Sequence, residues 1–475
     1  MALRLAFNFC FIILSTWIFS QESIWENAEE FIQIYFEPDE EYSDNYSHRI
    51  RMIPDGNDEK WQQKIHWENN QFQLGWRMDN SGYTESIQNR KGYLAGNIYN
   101  HKIILGNARI QIGSSLLFGS DYNSIKSSES ILSPGKIRWK ISPNLESETS
   151  SNPAGIIVLK NKGETNYYMG GNHSSVSYGI QKNGEKISGI IIGYLPNNSP
   201  SALSLSYIFK AGDLRFSGET AMQSKNFAQY IQLFSVDSEM KWLGQFRLLP
   251  KNWVTASGRP ATGFGKSENE AGFLISLRTK INGFTFFGWA DMFRQLHNEN
   301  ELPNKLGQDF LSGIRYRKTH LGVIELKVRR KTIVELINDN GIYILQKGMK
   351  YYYTFIAKNI LVLKWKYIHL SPDNETGQIL QIQSLKYHHK QWSGVIGAVY
   401  FDTENWDSRL YLIEPGLKGE FRIQPYYEQG SAFYSMVNLK LNDSNSLSFW
   451  YSLEINISDN IKWKPEMGLQ LDIVF

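Results

Sequence analysis

The chain has 475 residues, 41% hydrophobic, 14% aromatic and 20% charged, and its 50 basic and 47 acidic side chains leave a formal charge of +3. Beyond the extreme N-terminus no run reaches the roughly 18 uncharged apolar residues of a helical bilayer crossing, so a membrane-helix bundle is excluded, and 26 Tyr, 26 Phe and 14 Trp exclude a disordered chain. The near balance of charge lacks the basic excess of a nucleic-acid or anionic-membrane binder.

Residues 1–20, MALRLAFNFCFIILSTWIFS, place Arg4 before an apolar stretch from Leu5 to Phe19, which predicts an export signal cleaved after Ser20. The single cysteine, Cys10, lies inside that stretch, so thiolate metal sites, disulfides and cysteine nucleophiles are not expected in the mature chain. Residues 21–59 form an acidic segment, with twelve Asp or Glu against three Lys or Arg between Glu22 and Lys60. Trp25, Ala28, Phe31, Ile32 and Tyr35 have helical spacing and predict a short amphipathic helix, with EPDEEYSDNYSH following as loop. The segment reads either as a periplasmic plug or docking peptide, or as a solvated leader. From about Lys60 the period of the pattern changes to two, and residues 60–475 are assigned to one β architecture. Lys64 to Trp67 and Phe72 to Met78 flank the turn ENNQ as the first hairpin.

At residues 96–129, GNIYNHKIILGNARIQIGSSLLFGSDYNSIKSSE, the sequence resembles the barrel region of secreted Bacteroidota proteins named for an N-terminal helix-hairpin-helix domain. Leu105, Gly106, Asn107, Arg109, Gln111, Gly113, Leu116, Leu117 and Gly119 fit that family's strand, while Ser114 and Ser115 stand where Gln-Gly is usual. Further on, SENEAGFLISL (267–277) and FFGWADMFRQ (286–295) are similar to its Asn-Glu-x-Gly strand and the strand after it, through Asn269, Glu270, Gly272, Asp291 and Phe293. The acidic segment is too short for tandem helix-hairpin-helix units, so direct nucleic-acid binding is not expected. The resemblance implies a fold and a location, and carries no activity or cofactor.

Charges beside these motifs are candidate lumen groups: Arg109, Glu268, Glu270 and Asp291. Facing inward, they must pair with one another or with lumen arginines, because an unpaired charge in a low-dielectric wall is costly. Gly106, Asn107, Gly113, Gly119 and Gly272 are the structural positions of the motifs. The Ser-, Pro- and Gly-rich residues 120–152, and residues 295–308, are long connections that either constrict the lumen or extend outward. The basic runs KVRRK (327–331) and KYHHK (386–390) read as strand ends and turns facing water or lipid phosphates, with an anion-favouring lumen as the alternative.

Val399 to Phe401 leads into the turn DTENWDSR, and the last two strands alternate strictly. Leu447, Phe449, Tyr451, Leu453 and Ile455 oppose Ser448, Trp450, Ser452 and Glu454; Met467, Leu469, Leu471, Ile473 and Phe475 oppose Glu466, Gly468, Gln470 and Asp472. The apolar face Leu469, Leu471, Ile473, Phe475 has the form of a C-terminal signal for the barrel assembly machinery. Tyr351 to Tyr353, Trp365 with Tyr367, and Tyr426 with Tyr427 read as interfacial aromatic girdles.

The fold expected is therefore all-β: a large antiparallel transmembrane barrel of about 20 to 26 strands in the bacterial outer membrane, with a short acidic, partly helical N-terminal segment. No Gly-x-Ser-x-Gly or His-Glu-x-x-His motif occurs, and the nine histidines are scattered apart from His388-His389, so neither catalysis, metal nor cofactor is expected. The functional expectation is a channel or transport component with a polar lumen narrowed by loops or by the leader. The alternative is a non-conducting scaffold that docks periplasmic or surface partners.

Overall fold

The computed structural model describes residues 45–55, 58–69, 71–81, 89–119, 138–145, 154–172, 174–197, 199–235, 239–253, 260, 262–265, 268–297, 305–318, 322–337, 341–357, 361–371, 374–384, 387–388, 391–417, 421–457 and 461–474. The expected export signal, the helix at Trp25 to Tyr35, and Phe475 lie outside the described residues.

Strand periodicity sets the burial pattern directly. In the strand Ala202–Ala211, Leu203 and Leu205 are each 47% exposed, while Ser204 and Ser206 are fully buried. The strand Glu270–Ile281 exposes Phe273, Ile275 and Leu277 and buries Gly272, Leu274 and Ser276. Ser446–Asn456 and Lys462–Val474 follow the same rule, with Phe449 and Leu469 exposed and Ser448, Glu454, Glu466 and Gln470 buried. Apolar residues outside and polar residues inside invert the order of a soluble protein, and the arrangement is stable only when lipid covers the outer face.

Each wall strand pairs antiparallel with its neighbours, and Asn45–Asp55 pairs with Lys462–Val474 from Ser47↔Val474 to Met52↔Leu469. The described residues thus form a closed barrel of 24 wall strands without a free edge. Its apolar outer face makes the wall a membrane-spanning β-barrel. The wall starts at Asn45, inside the segment read as acidic leader. Its alternation is short and its neighbours are acidic, but Arg49 and Arg51 face the lumen, where they bond Asp472 at 2.7 Å and Gln470 at 2.7 Å.

The aromatic clusters divide. Trp365 and Tyr367 stack at 6.2 Å on the outer face. Tyr352 alternates to the inner face, and Tyr426 is buried inside the barrel on a strand that is not part of the wall, so neither belongs to a girdle.

Among the described residues, three segments leave the wall and fold inward. They follow His101–Gly113, Met240–Leu249 and Trp392–Thr403, which are the fifth, thirteenth and twenty-first wall strands in order. All three strands run in the direction of the first, so the segments enter from the rim opposite the one where the first wall strand begins and the last ends, at equal thirds of the circumference.

Candidate functional site

The site is the occupied lumen. The first inward segment begins within a strand. Residues 101–107 of His101–Gly113 pair with the wall strand Ala154–Lys162, whereas residues 108–113 pair with Arg138–Pro143, which lies inside. Gly106 sits at the break with φ of +100°, and a Cβ there would collide with the Gly92 carbonyl. Asn107 takes over the freed wall amide: its Oδ1 accepts from Gly92 N at 3.0 Å.

Beyond the break, Ala108, Ile110, Ile112, Leu116, Leu117, Phe118 and Ile141 pack on Ile104, Ile157, Ile190 and Ile192, which point inward from the wall. Covered by the segment, this part of the inner wall is apolar instead of polar. Gly113, with φ of +76°, makes the turn; a Cβ would lie 2.5 Å from Ser206 Oγ and 2.7 Å from Glu219 Oε2. The fully buried Glu219 projects from the wall strand Leu214–Gln223 and accepts from Ser114 N at 2.6 Å, Leu116 N at 3.1 Å and Ser204 Oγ at 2.7 Å. Ser115 occupies a left-handed conformation, φ +78°, at the position where the resembling family has glycine. Arg109 lies half-buried on the inner segment, opposite Ser142.

The second inward segment, described at residues 250–253, 260, 262–265 and 268–269, is held by an arginine that the sequence reading did not single out. Arg247 donates to Glu270 at 2.5 Å and, through both terminal nitrogens, to Asp291 at 2.8 and 3.0 Å, with all three side chains fully buried. Gly272 stands opposite Arg247 across the strand pair, and a Cβ there would collide with the guanidinium. Glu270 also accepts from Gly263 N at 2.8 Å and Phe264 N at 2.9 Å, tying the segment down. Asn269, φ +54°, bonds both backbone groups of His297. Phe293 lies 5.9 Å from the Arg247 guanidinium and packs edge-on to Phe264. Trp253 reaches the first segment, donating to the Leu116 carbonyl at 3.3 Å. Glu268 is half-buried in the preceding turn and stays outside the Arg247 cluster. Two inward carboxylates on adjacent strands call for a cation, and the alternation of MKWLGQFRLL (240–249) places Arg247 on the same face; that signal was readable.

The third segment, described at residues 404–417 and 421–428, carries the hairpin Leu410–Pro415 and Phe421–Tyr426. Only its first part was expected, as a turn. Leu410, Leu412 and Tyr426 pack on inward Ile379, Val399, Phe401 and Tyr434, and Leu417 packs on Met436 and Trp450. The polar contacts are as specific: Arg422 bonds Glu414 at 3.1 Å and also Glu466 of the wall, and lies 3.8 Å over Trp450. Tyr426 Oη donates to Glu414, and Gln424 donates to Glu454 at 3.3 Å. Burial pushes the Glu414 carboxyl up from its ordinary value, against the downward pull of Arg422 and Tyr426. The other hairpin face, Tyr411, Ile413 and Ile423, stays exposed within the barrel.

Of the expected connections, residues 138–145 fold inward, while 298–304 and most of 120–152 lie outside the described residues. The run KVRRK is neither a strand end nor a turn. It occupies the middle of Gly322–Ile337, where alternation turns Lys327, Arg329 and Lys331 to the lumen and Val328 and Arg330 outward. Arg329 bonds Asp309 at 2.7 Å, and Lys327 and Arg315 share Glu325 at 2.6 and 2.5 Å.

No family model matches the chain, and no curated protein matches it. Among solved structures, the copper transporter OprC is similar over 92% of this chain and 82% of its own, at 8% identity and a TM-score of 0.44. The siderophore receptor PirA from Pseudomonas aeruginosa is similar over 91% and 80%, at 8% identity and 0.45. The P pilus usher PapC translocation pore is similar over 91% and 99%, at 8% identity and 0.39. At these scores no ligand, residue role or activity passes from those proteins to this chain.

Proposed function

We propose that the protein is a transport channel whose lumen is narrowed by its own three inward segments, and that it has no catalytic role. One observation carries the reading: the segments enter from one rim and are fixed by side chains of the wall, so the constriction is built into the barrel. The leader, the barrel assembly machinery as partner of the Leu469, Leu471 and Ile473 face, and membership of the family that the motifs resemble belong to the same proposal. Gly106, Gly113 and Gly272 support the last, since each fills a position where this architecture requires glycine.

A second reading, a non-conducting scaffold for periplasmic or surface partners, is favoured by the apolar packing between the first segment and the inner wall. Swelling of proteoliposomes in sugars of increasing size separates the two. The channel reading predicts swelling with small sugars and a sharp fall with larger ones; liposomes no more permeable than protein-free controls, with the barrel shown folded by heat-modifiable gel migration, would contradict it.

A further inference from the structure

Three adjacent wall strands, Gly322–Ile337, Gly341–Ala357 and Leu361–Ser371, carry a ladder of cations on their lumen face. The register gives its rungs. Lys331 lies opposite Gly348, Arg329 opposite Lys350, Lys327 opposite Tyr352, and Glu325 opposite Thr354. On the next strand Lys366 lies opposite Tyr352 and Lys364 opposite Thr354. Successive rungs are two residues apart, which is about 6.7 Å along a strand. Arg329 facing Lys350 directly is an arrangement that disfavours pairing, since like charges repel across a ladder. Tyr352 stands between two ammonium groups, Lys327 at 5.6 Å and Lys366 at 6.0 Å from its ring.

Acid does not balance these charges. Asp309 serves Arg329 and Glu325 serves Lys327. Lys331 and Lys366 donate to the carbonyls of Gly263 and Tyr411, on the second and third inward segments, and Lys350 and Lys364 make no ion pair among the described residues. Arg409 of the third segment adds its field at Lys350, and its guanidinium lies 4.3 Å over Trp406. The cations are half-buried, open to the lumen and held by the wall. Nothing in the barrel's own stability calls for such an excess, and a local rule broken without a structural gain marks a functional position.

We propose that this ladder is the binding and selectivity site for an extended anion bearing several phosphate or carboxylate groups, which spans successive rungs between the wall and the third inward segment. The inference deepens the channel reading by naming its solute class. Anionic groups about two residues' rise apart meet one cation each, and the clefted, low-dielectric surroundings strengthen every contact.

The test uses the full-length folded protein, purified free of lipopolysaccharide, with sodium tripolyphosphate as probe and spermine as control. Calorimetric titration at low salt is expected to show tripolyphosphate binding and no spermine binding. Lys350→Gln with Lys364→Gln should weaken binding at least tenfold, whereas Arg330→Gln, on the outer face of the same ladder strand, should leave it unchanged. Reversal potentials in a potassium chloride gradient should show chloride carrying most of the current, with that preference lost in the double variant. Tripolyphosphate binding without conductance would uphold the site and sink the channel reading. Conductance without anion preference or tripolyphosphate binding would overturn the ladder proposal and leave the channel. Equal weakening by the Arg330 variant would place the binding outside the lumen and overturn the proposal as well.

Discussion

Arg247 shows how much one buried residue holds. Glu270 and Asp291 are carboxyl groups removed from water, and a shared guanidinium makes their burial tolerable. Arg247→Met leaves two uncompensated carboxylates and should cost about 3–5 kcal/mol, seen as a large fall in the midpoint of heat-modifiable gel migration. Arg247→Lys should fall between, because an ammonium cannot bind Asp291 through two parallel bonds. A midpoint unchanged by the methionine variant would show that the cluster is not what secures the second segment. At this scale the sequence was partly legible. Glu270, Asp291 and Gly272 stood out through their motif, but the motif does not contain Arg247, and its glycine makes sense only as the space that guanidinium fills. Glu219 was hidden for a related reason: its partners on the first segment are backbone amides more than a hundred positions away, and amides leave no mark in a sequence.

The same contrast holds for elements. Strict alternation made the wall strands readable, above all in Ser446–Asn456 and Lys462–Val474, because a lipid-facing side and a lumen-facing side impose opposite chemistry at every step. The inward segments broke that rule: part of the first, residues 138–145, lay in a connection expected to constrict the lumen or extend outward, and the second and third were missed. Leu410–Pro415 and Phe421–Tyr426 alternate like wall strands, yet their apolar residues pack on the inner wall, and a period of two carries no information about which surface a strand meets. The third segment also contains a pH-sensitive contact. The docked hairpin raises the Glu414 carboxyl above its undocked value, so docking is favoured by protonation. That contribution is complete below the ordinary carboxylate range and is lost as pH rises through the raised value. Glu466, Glu454 and Lys464 also surround Arg422 and Glu414, and Glu466 adds to the upward pull. Hydrogen exchange of residues 410–426, corrected for intrinsic rates, should therefore become faster at pH 8 relative to pH 5, and Glu414→Gln should flatten the difference. An unchanged pH dependence in the glutamine variant would remove Glu414 from the account.

At the scale of the whole molecule, 24 strands enclose a lumen that would be wide and water-filled if nothing entered it. Three segments spaced eight strands apart fold in from one rim, and each is clamped by wall side chains: Glu219 on the first, Glu270 with Arg247 on the second, Glu466 and Glu454 on the third. Spacing the attachments evenly distributes the constriction and leaves the arc of Gly322–Ile337 to Leu361–Ser371, between the second and third attachments, lined by cations. The barrel class and its wide strand range follow from periodicity and composition. The state of the lumen does not, because it depends on which connections turn inward, and that is decided by contacts between residues far apart in the chain.

The central claim is that the inward segments, and not the wall, set the passage. It is tested most directly by single-channel conductance of the folded, full-length protein beside a variant in which residues 404–428 are replaced by a short Gly-Ser turn. The account predicts small conductance in the first and a severalfold larger, steady conductance in the second. Equal conductance in two equally folded proteins would contradict it.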